Sequence, residues 1–177
     1  MELNTNSMEY TIRNMGSVNN YLNVTGYSTE PSAQVEQWSL QPEGSVDRKS
    51  QLWFVIPYEN GYYMVINKAS GLYLNIYGYV TDRPAQAEQW YLQKNANVDS
   101  QLWKIEKTNQ KGGYTFQNKA SGKYLNIEGF STQPSAKVEQ SDLQTDDHKM
   151  FQFWDIIPTM TPAMSVSVGK MKVPSKK

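Results

Sequence analysis

Short runs of aromatic and β-branched residues alternate along this chain with polar clusters of Gly, Pro, Asn, Asp and Ser, the pattern of strands joined by turns. The first third gives YTIRN, YLNVTG, VEQWSL and QLWFVI, and the second YYMVIN, YLNIYG, AEQWYL and QLWKIEK. The last third gives YTFQN, YLNIEG, VEQSDL and FQFWDII. Twelve strands are predicted, and no stretch of comparable quality carries helical periodicity.

The three groups of four are copies of one unit. Tyr-Leu-Asn recurs at Tyr21, Tyr73 and Tyr124, and Glu-Gln at Glu36, Glu88 and Glu139. The Gln-x-Trp triplets end at Trp53, Trp103 and Trp154, and a Gly-aromatic pair recurs at Gly26-Tyr27, Gly78-Tyr79 and Gly129-Phe130. A four-stranded unit of about 50 residues also suits a propeller blade. Three blades are too few to close a propeller, whereas twelve strands in three equivalent units close a barrel capped by hairpins. The predicted fold is all-β, a β-trefoil of three four-stranded repeats with pseudo-threefold symmetry. Residues 1–158 form the trefoil, in repeats of about 8–56, 57–108 and 109–158, and 159–177 form a basic tail or linker.

The repeat separates its two tryptophans. Trp53, Trp103 and Trp154 lie in apolar runs and are kept in every copy, as three equivalent core anchors must be. Leu22, Leu74, Leu125, Leu40, Leu92 and Leu143 are expected to point inward with them. Trp38 and Trp90 stand in polar surroundings, and the third copy replaces them with Ser141. A core anchor exchanged for serine would leave a void costing several kcal/mol, but a surface platform is lost cheaply. Trp38 and Trp90 therefore read as partly exposed platforms. A pyranose suits such a platform, because its C–H face packs on an aromatic ring while its hydroxyls need directional polar partners.

Composition narrows the field. With 177 residues, 38% hydrophobic, one core is expected, and a formal charge of zero argues against nucleic acid as a partner. Four of the 17 basic groups fall in 159–177, leaving 13 against 17 acidic groups in 1–158. There is no cysteine, and no run approaches the roughly 18 apolar residues of a membrane span. MELNTNSMEY has the look of neither a basic n-region nor an apolar h-region, so a soluble protein without a signal peptide is expected, with cytoplasmic residence and unconventional secretion both open. No metal-ligand spacing surrounds the lone His148, and no cofactor is expected.

The three in-phase Gln-x-Trp triplets, each 28 to 30 residues beyond a Tyr-Leu-Asn strand, resemble the ricin-B-type lectin family over about residues 8–158. The resemblance implies a β-trefoil with up to three shallow sugar sites, one per repeat. It also implies a site made of an acid on the second strand, an amide two positions before the stacking aromatic, and an Asn-Gln pair heading Gln-x-Trp. Those positions fall on Asn23, Glu36, Trp38, Ser50 and Gln51 in the first copy and on Asn75, Glu88, Trp90, Ser100 and Gln101 in the second. In the third they fall on Asn126, Glu139, Ser141, Phe151 and Gln152. Asn stands where the family usually has Asp, and Glu where it usually has an amide, as if acid and amide had exchanged places. Two working sites and a degenerate or altered third are expected, with Phe130 or His148 as substitutes there.

The function that follows is a non-catalytic lectin for glycans or glycoproteins, galactose-type sugars foremost. Its rivals are a targeting module of a larger toxin or glycosidase, joined to a partner domain through the tail, and a protein-binding trefoil such as a protease inhibitor. Catalysis calls for one asymmetric acid–base constellation, whereas the acids here repeat threefold.

Overall fold

The computed structural model describes residues 8–110 and 112–159, so the proposed tail beyond 159 lies outside the described residues. Twelve strands form: β1 (Tyr10–Asn14), β2 (Asn20–Val24), β3 (Val35–Ser39) and β4 (Trp53–Pro57) in the first repeat. The second repeat holds β5 (Tyr63–Asn67), β6 (Tyr73–Ile76), β7 (Ala85–Trp90) and β8 (Trp103–Lys107). The third holds β9 (Gly113–Asn118), β10 (Tyr124–Ile127), β11 (Val138–Ser141) and β12 (Trp154–Pro158). The predicted strand ends are trimmed at two recurring places. The Gly after Tyr-Leu-Asn and the Gln of Gln-x-Trp both enter short 3-10 segments.

Six strands close a barrel. β1 pairs with β12 and touches β4, β4 pairs with β5, β5 touches β8, β8 pairs with β9, and β9 meets β12, all antiparallel. The other six make three hairpins, β2–β3, β6–β7 and β10–β11, which cap one end. Bridges Gln34↔Glu88, Glu139↔Gln86 and Glu36↔Lys137 join the hairpins to one another around the pseudo-threefold axis.

The three tryptophans Trp53, Trp103 and Trp154 are fully buried in the core with Ile12, Val65 and Phe116. Each indole N–H donates to the carbonyl of the leucine in Tyr-Leu-Asn, at 3.0 Å to Leu22, 3.2 Å to Leu74 and 3.1 Å to Leu125. The indole thus fills volume and also ties its own N–H to a buried backbone carbonyl of the capping hairpin. Leu22, Leu74 and Leu125 are buried as expected. Leu40, Leu92 and Leu143 are not: they are 37%, 40% and 48% exposed. β3, β7 and β11 end before these leucines, so strand alternation no longer dictates their direction.

The glutamine of Glu-Gln-Trp is an inter-repeat clamp. Gln37 Nε2 donates to Ser131 O and Gln133 O of the third repeat, Gln89 Nε2 to Ser28 O and Glu30 O of the first, and Gln140 Nε2 to Val80 O and Arg83 O of the second. Asparagines add a second set of ties. Asn14, Asn67 and Asn118 donate to the carbonyls of Phe151, Ser50 and Ser100 in the neighbouring repeat. Their Oδ1 atoms accept backbone N–H groups of the following turn, which explains why Asn-Lys-Ala-Ser-Gly recurs.

Candidate functional site

On each capping hairpin the second residue of Tyr-Leu-Asn points into the core, so its flanking residues share the outer face. Register then pairs them with the residues that flank the clamp glutamine. Tyr21 faces Trp38 and Asn23 faces Glu36; Tyr73 faces Trp90 and Asn75 faces Glu88; Tyr124 faces Ser141 and Asn126 faces Glu139. Trp38 and Trp90 are half-buried. Each has the cross-strand tyrosine opposite it, and Trp90 also meets Tyr91 edge-on with ring centroids 5.8 Å apart.

The Asn–Glu pairs are direct contacts. Asn23 Nδ2 donates to Glu36 Oε1 at 3.0 Å, Asn75 to Glu88 at 2.8 Å, and Asn126 to Glu139 at 3.0 Å. Acid and amide therefore meet as partners with their strands exchanged. Burial raises the pKa of all three carboxyls, and the asparagine N–H, which favours the charged form, opposes that rise. Asn23 Oδ1, Asn75 Oδ1, Asn126 Oδ1 and Glu88 Oε2 are buried acceptors without a partner among the described residues. Such atoms are costly unless something hydrogen-bonds to them.

Beside the first pair stands Tyr27. Its pKa is raised by burial, then by the charges of Asp47 and Glu36, while the Trp38 indole N–H works the other way, so these four side chains share one locality. Sequence reasoning did not assign Tyr27 or Asp47 to the site. The signal was the recurring Gly-aromatic pair, whose backbone turns left-handed at both residues, with φ of 63° at Gly26 and 54° at Tyr27. The same geometry recurs at Gly78-Tyr79 and Gly129-Phe130. A non-glycine residue held there stores about 1 kcal/mol or more, and its repetition in three copies marks a turn that aims an aromatic ring.

The Gln-x-Trp glutamines do a different job. Gln51 Oε1 accepts from Gln41 N and its Nε2 donates to Ser39 O; Gln101 does the same with Gln93 and Tyr91, and Gln152 with Gln144 and Asp142. All three are fully buried and join the two ends of the loop after the third strand. Ser50 and Ser100 are buried as well. The structure thus gathers Asn23, Glu36 and Trp38, and likewise Asn75, Glu88 and Trp90, on the outer face, and sets Ser50, Gln51, Ser100, Gln101 and Gln152 in the framework behind it.

The third repeat departs where Ser141 stands. Phe130 stacks on His148 at 4.2 Å between centroids and lies 5.9 Å from Phe151. His148 occupies the position of Asp47 and is held through Nδ1 at 3.0 Å from Asp146. The carboxyl of Asp146 sits below the usual range because the His148 side chain and backbone N–H both hydrogen-bond it. Asn126 and Glu139 remain paired, but the aromatic surface has moved from the strand to the loops.

Comparison with known proteins fits this build. A ricin-type β-trefoil lectin domain model matches residues 2–90, 49–141 and 99–166, and no curated protein sequence matches. The designed threefold-symmetric protein ThreeFoil superposes with a TM-score of 0.72 and 26% identity over 84% of this chain and 97% of its own. The Macrolepiota procera ricin B-like lectin, solved with lactose, gives 0.68 and 15% over 89% and 99%. An exo-β-1,3-galactanase from Clostridium thermocellum gives 0.74 and 23% over 87% of this chain but only 31% of the galactanase. Three in-phase repeats, twelve antiparallel strands and matches across nearly the whole trefoil place the chain in the ricin-type β-trefoil lectin domain family.

Proposed function

We propose that the chain is a multivalent glycan-binding lectin without catalytic activity, with sugar sites on the first and second hairpins. Trp38 and Trp90 stack on the C–H face of a pyranose. The Asn23–Glu36 and Asn75–Glu88 pairs supply hydroxyl partners, one carboxylate and one amide in each site. Ser50, Gln51, Ser100 and Gln101 act from behind, by fixing the loop that walls each site. The observation that carries this reading is the repeated placement of a half-buried tryptophan on the same outer face as a buried, hydrogen-bonded Asn–Glu pair with an unpartnered amide oxygen.

Galactose-type sugars are the first ligands to test, since the Macrolepiota procera relative was solved with lactose. Single sites near the millimolar range combine into useful avidity on a surface that displays many glycans. Asn126, Glu139 and Gln152 keep the framework of the third site, whose Phe130–His148 surface alters or abolishes sugar preference. The test is a glycan array followed by calorimetric titration of the best hit. Trp38→Ala with Trp90→Ala abolishes array binding if the reading holds, and unchanged binding in that double variant refutes it.

The similarity to a part of the galactanase, and to 18% of a mosquitocidal holotoxin at 21% identity and a TM-score of 0.73, supports a further reading as a targeting module within a larger protein. Mass determination of the product isolated from its source checks this: a species larger than 177 residues supports it.

A further inference from the structure

The hairpin cap is not joined in the same way at its three repeat boundaries. In the first and third repeats the loop before the third strand reads Pro-Ser-Ala, at Pro31-Ser32-Ala33 and Pro134-Ser135-Ala136. Ser32 and Ser135 adopt left-handed backbone, with φ of 65° and 66°, and their N–H groups donate to Gln89 O at 2.9 Å and Gln37 O at 2.8 Å. The second repeat reads Arg83-Pro84-Ala85. Pro84 has no N–H to give to Gln140 O, and its ring forbids a positive φ. The second loop therefore lacks that N–H lock and joins the next repeat instead through the β7–β11 pairing at Ala85 and Gln86, with Gln140 Nε2 on Val80 O and Arg83 O.

A groove of about 630 Å³ opens at this point, lined by Gln34 of the first repeat and by Tyr77, Val80, Arg83, Pro84 and Gln86 of the second. Its volume is in the range of small-ligand sites. Three of its features belong to the second repeat alone. Tyr77 stands where the other copies have Thr25 and Glu128, Arg83 replaces Pro31 and Pro134, and Pro84 replaces Ser32 and Ser135. Tyr77 is 63% exposed, an aromatic ring left on the surface. Among the described residues the Arg83 guanidinium is ion-paired with Asp82 alone, at 3.9 Å with both side chains largely in solvent, so its fork of N–H donors is open to a carboxylate. Gln34 Nε2 donates to Gln86 Oε1 across the repeat boundary, which leaves one amide oxygen and one amide nitrogen for hydroxyls.

We propose that this groove is a separate ligand site for a carboxylate-bearing sugar unit, with Arg83 gripping the carboxylate, Tyr77 packing on the ring, and Gln34 and Gln86 reading hydroxyls. It shares no residue with the Trp38 and Trp90 sites and does not depend on their binding sugar. A neutral sugar leaves the guanidinium without a partner, so preference for the acid over its neutral counterpart is its signature.

The test is an NMR and calorimetric titration of the full chain with methyl glucuronide and with the methyl glycoside of N-acetylneuraminic acid, methyl glucoside serving as the neutral control. At least one acidic sugar is expected to bind tenfold or more tightly than the glucoside and to shift the Tyr77 and Arg83 resonances. Arg83→Gln and Tyr77→Thr each weaken that binding by tenfold or more while the thermal midpoint stays put, and Trp38→Ala with Trp90→Ala leaves it intact. Binding of neither acid, or binding that survives Arg83→Gln, or binding lost in the tryptophan double variant, overturns the proposal.

Discussion

The amide of Asn75 on β6 donates to the carboxyl of Glu88 on β7 at 2.8 Å, while Glu88 Oε2 and Asn75 Oδ1 are buried with no partner among the described residues. The pair is a cross-strand contact at one register position of a capping hairpin, and the first and third hairpins repeat it.

Burial raises the Glu88 carboxyl above its ordinary value of 4.5, against the pull of the Asn75 N–H. A carboxyl whose pKa is higher folded than unfolded stabilises the fold fully below the unfolded pKa, and loses that contribution as pH rises through the folded one. Relative to Glu88→Gln, the natural chain is therefore expected to lose stability as pH rises from about 4.5 toward neutrality. Glu36→Gln and Glu139→Gln follow the same sign. Urea midpoints of each variant against the natural chain, taken across that window, check it, and a difference that grows in the opposite direction contradicts it.

Trp103 and Trp90 test the division between anchor and platform. Trp103→Ala empties a fully buried site and removes the indole hydrogen bond to the Leu74 carbonyl, for an expected loss of about 3–5 kcal/mol. Trp90→Ser, the exchange the third repeat already carries, is expected to cost about 1 kcal/mol. Chemical denaturation of both variants gives the comparison, and equal losses would remove the distinction.

The clamp glutamines differ in a measurable way. Gln89 Oε1 accepts from Ser70 Oγ and Gln140 Oε1 from Ser121 Oγ, both at 2.7 Å, but Gln37 Oε1 is unpartnered. The first repeat has one extra residue between Asn14 and Tyr21, and Ser17, which stands where the other copies have Ser70 and Ser121, keeps its buried Oγ without a partner among the described residues. Gln89→Ala and Gln140→Ala should each cost about 1–3 kcal/mol, and Gln37→Ala less, because it breaks one hydrogen bond fewer. Thermal midpoints of the three variants rank them.

Gly16 and Phe151 form a compensated pair. A Cβ on Gly16 would lie 2.7 Å from the Phe151 ring, inside any permitted contact. The other repeats have Ala69 and Ala120 at this position, in the turns whose asparagines bond to Ser50 and Ser100. Gly16→Ala alone is expected to destabilise by about 1–3 kcal/mol through overpacking. Gly16→Ala with Phe151→Ser, which restores the pairing of the other two repeats, should recover much of that loss. A double-variant cycle on unfolding free energy measures the coupling, and simple additivity would refute it.

The sequence by itself determined the repeat, and with it most of the fold. Twelve strands, three core tryptophans and a second, half-buried tryptophan dispensable in one copy follow from periodicity and from what threefold symmetry lets a residue become. The family resemblance also named the Asn and Glu positions, and the hairpin register is what sets them opposite each other. Leu40, Leu92 and Leu143 escaped the periodicity, since each sits just past a strand end where alternation no longer fixes direction. The tertiary structure decided what the polar repeats are for. Gln37, Gln89 and Gln140 recur unchanged even where Trp becomes Ser, yet only the packing of one repeat on the next reveals that they clamp loops of the neighbouring copy. Gln51, Gln101 and Gln152 resemble sugar contacts by position but close their own loops, and Pro84 reads as one turn residue among several until the fold sets it in the wall of a groove. Polar side chains hydrogen-bond whatever the fold brings within about 3 Å, and for these residues the partners lie 57 to 96 positions away, or across a loop whose path only the closed barrel sets.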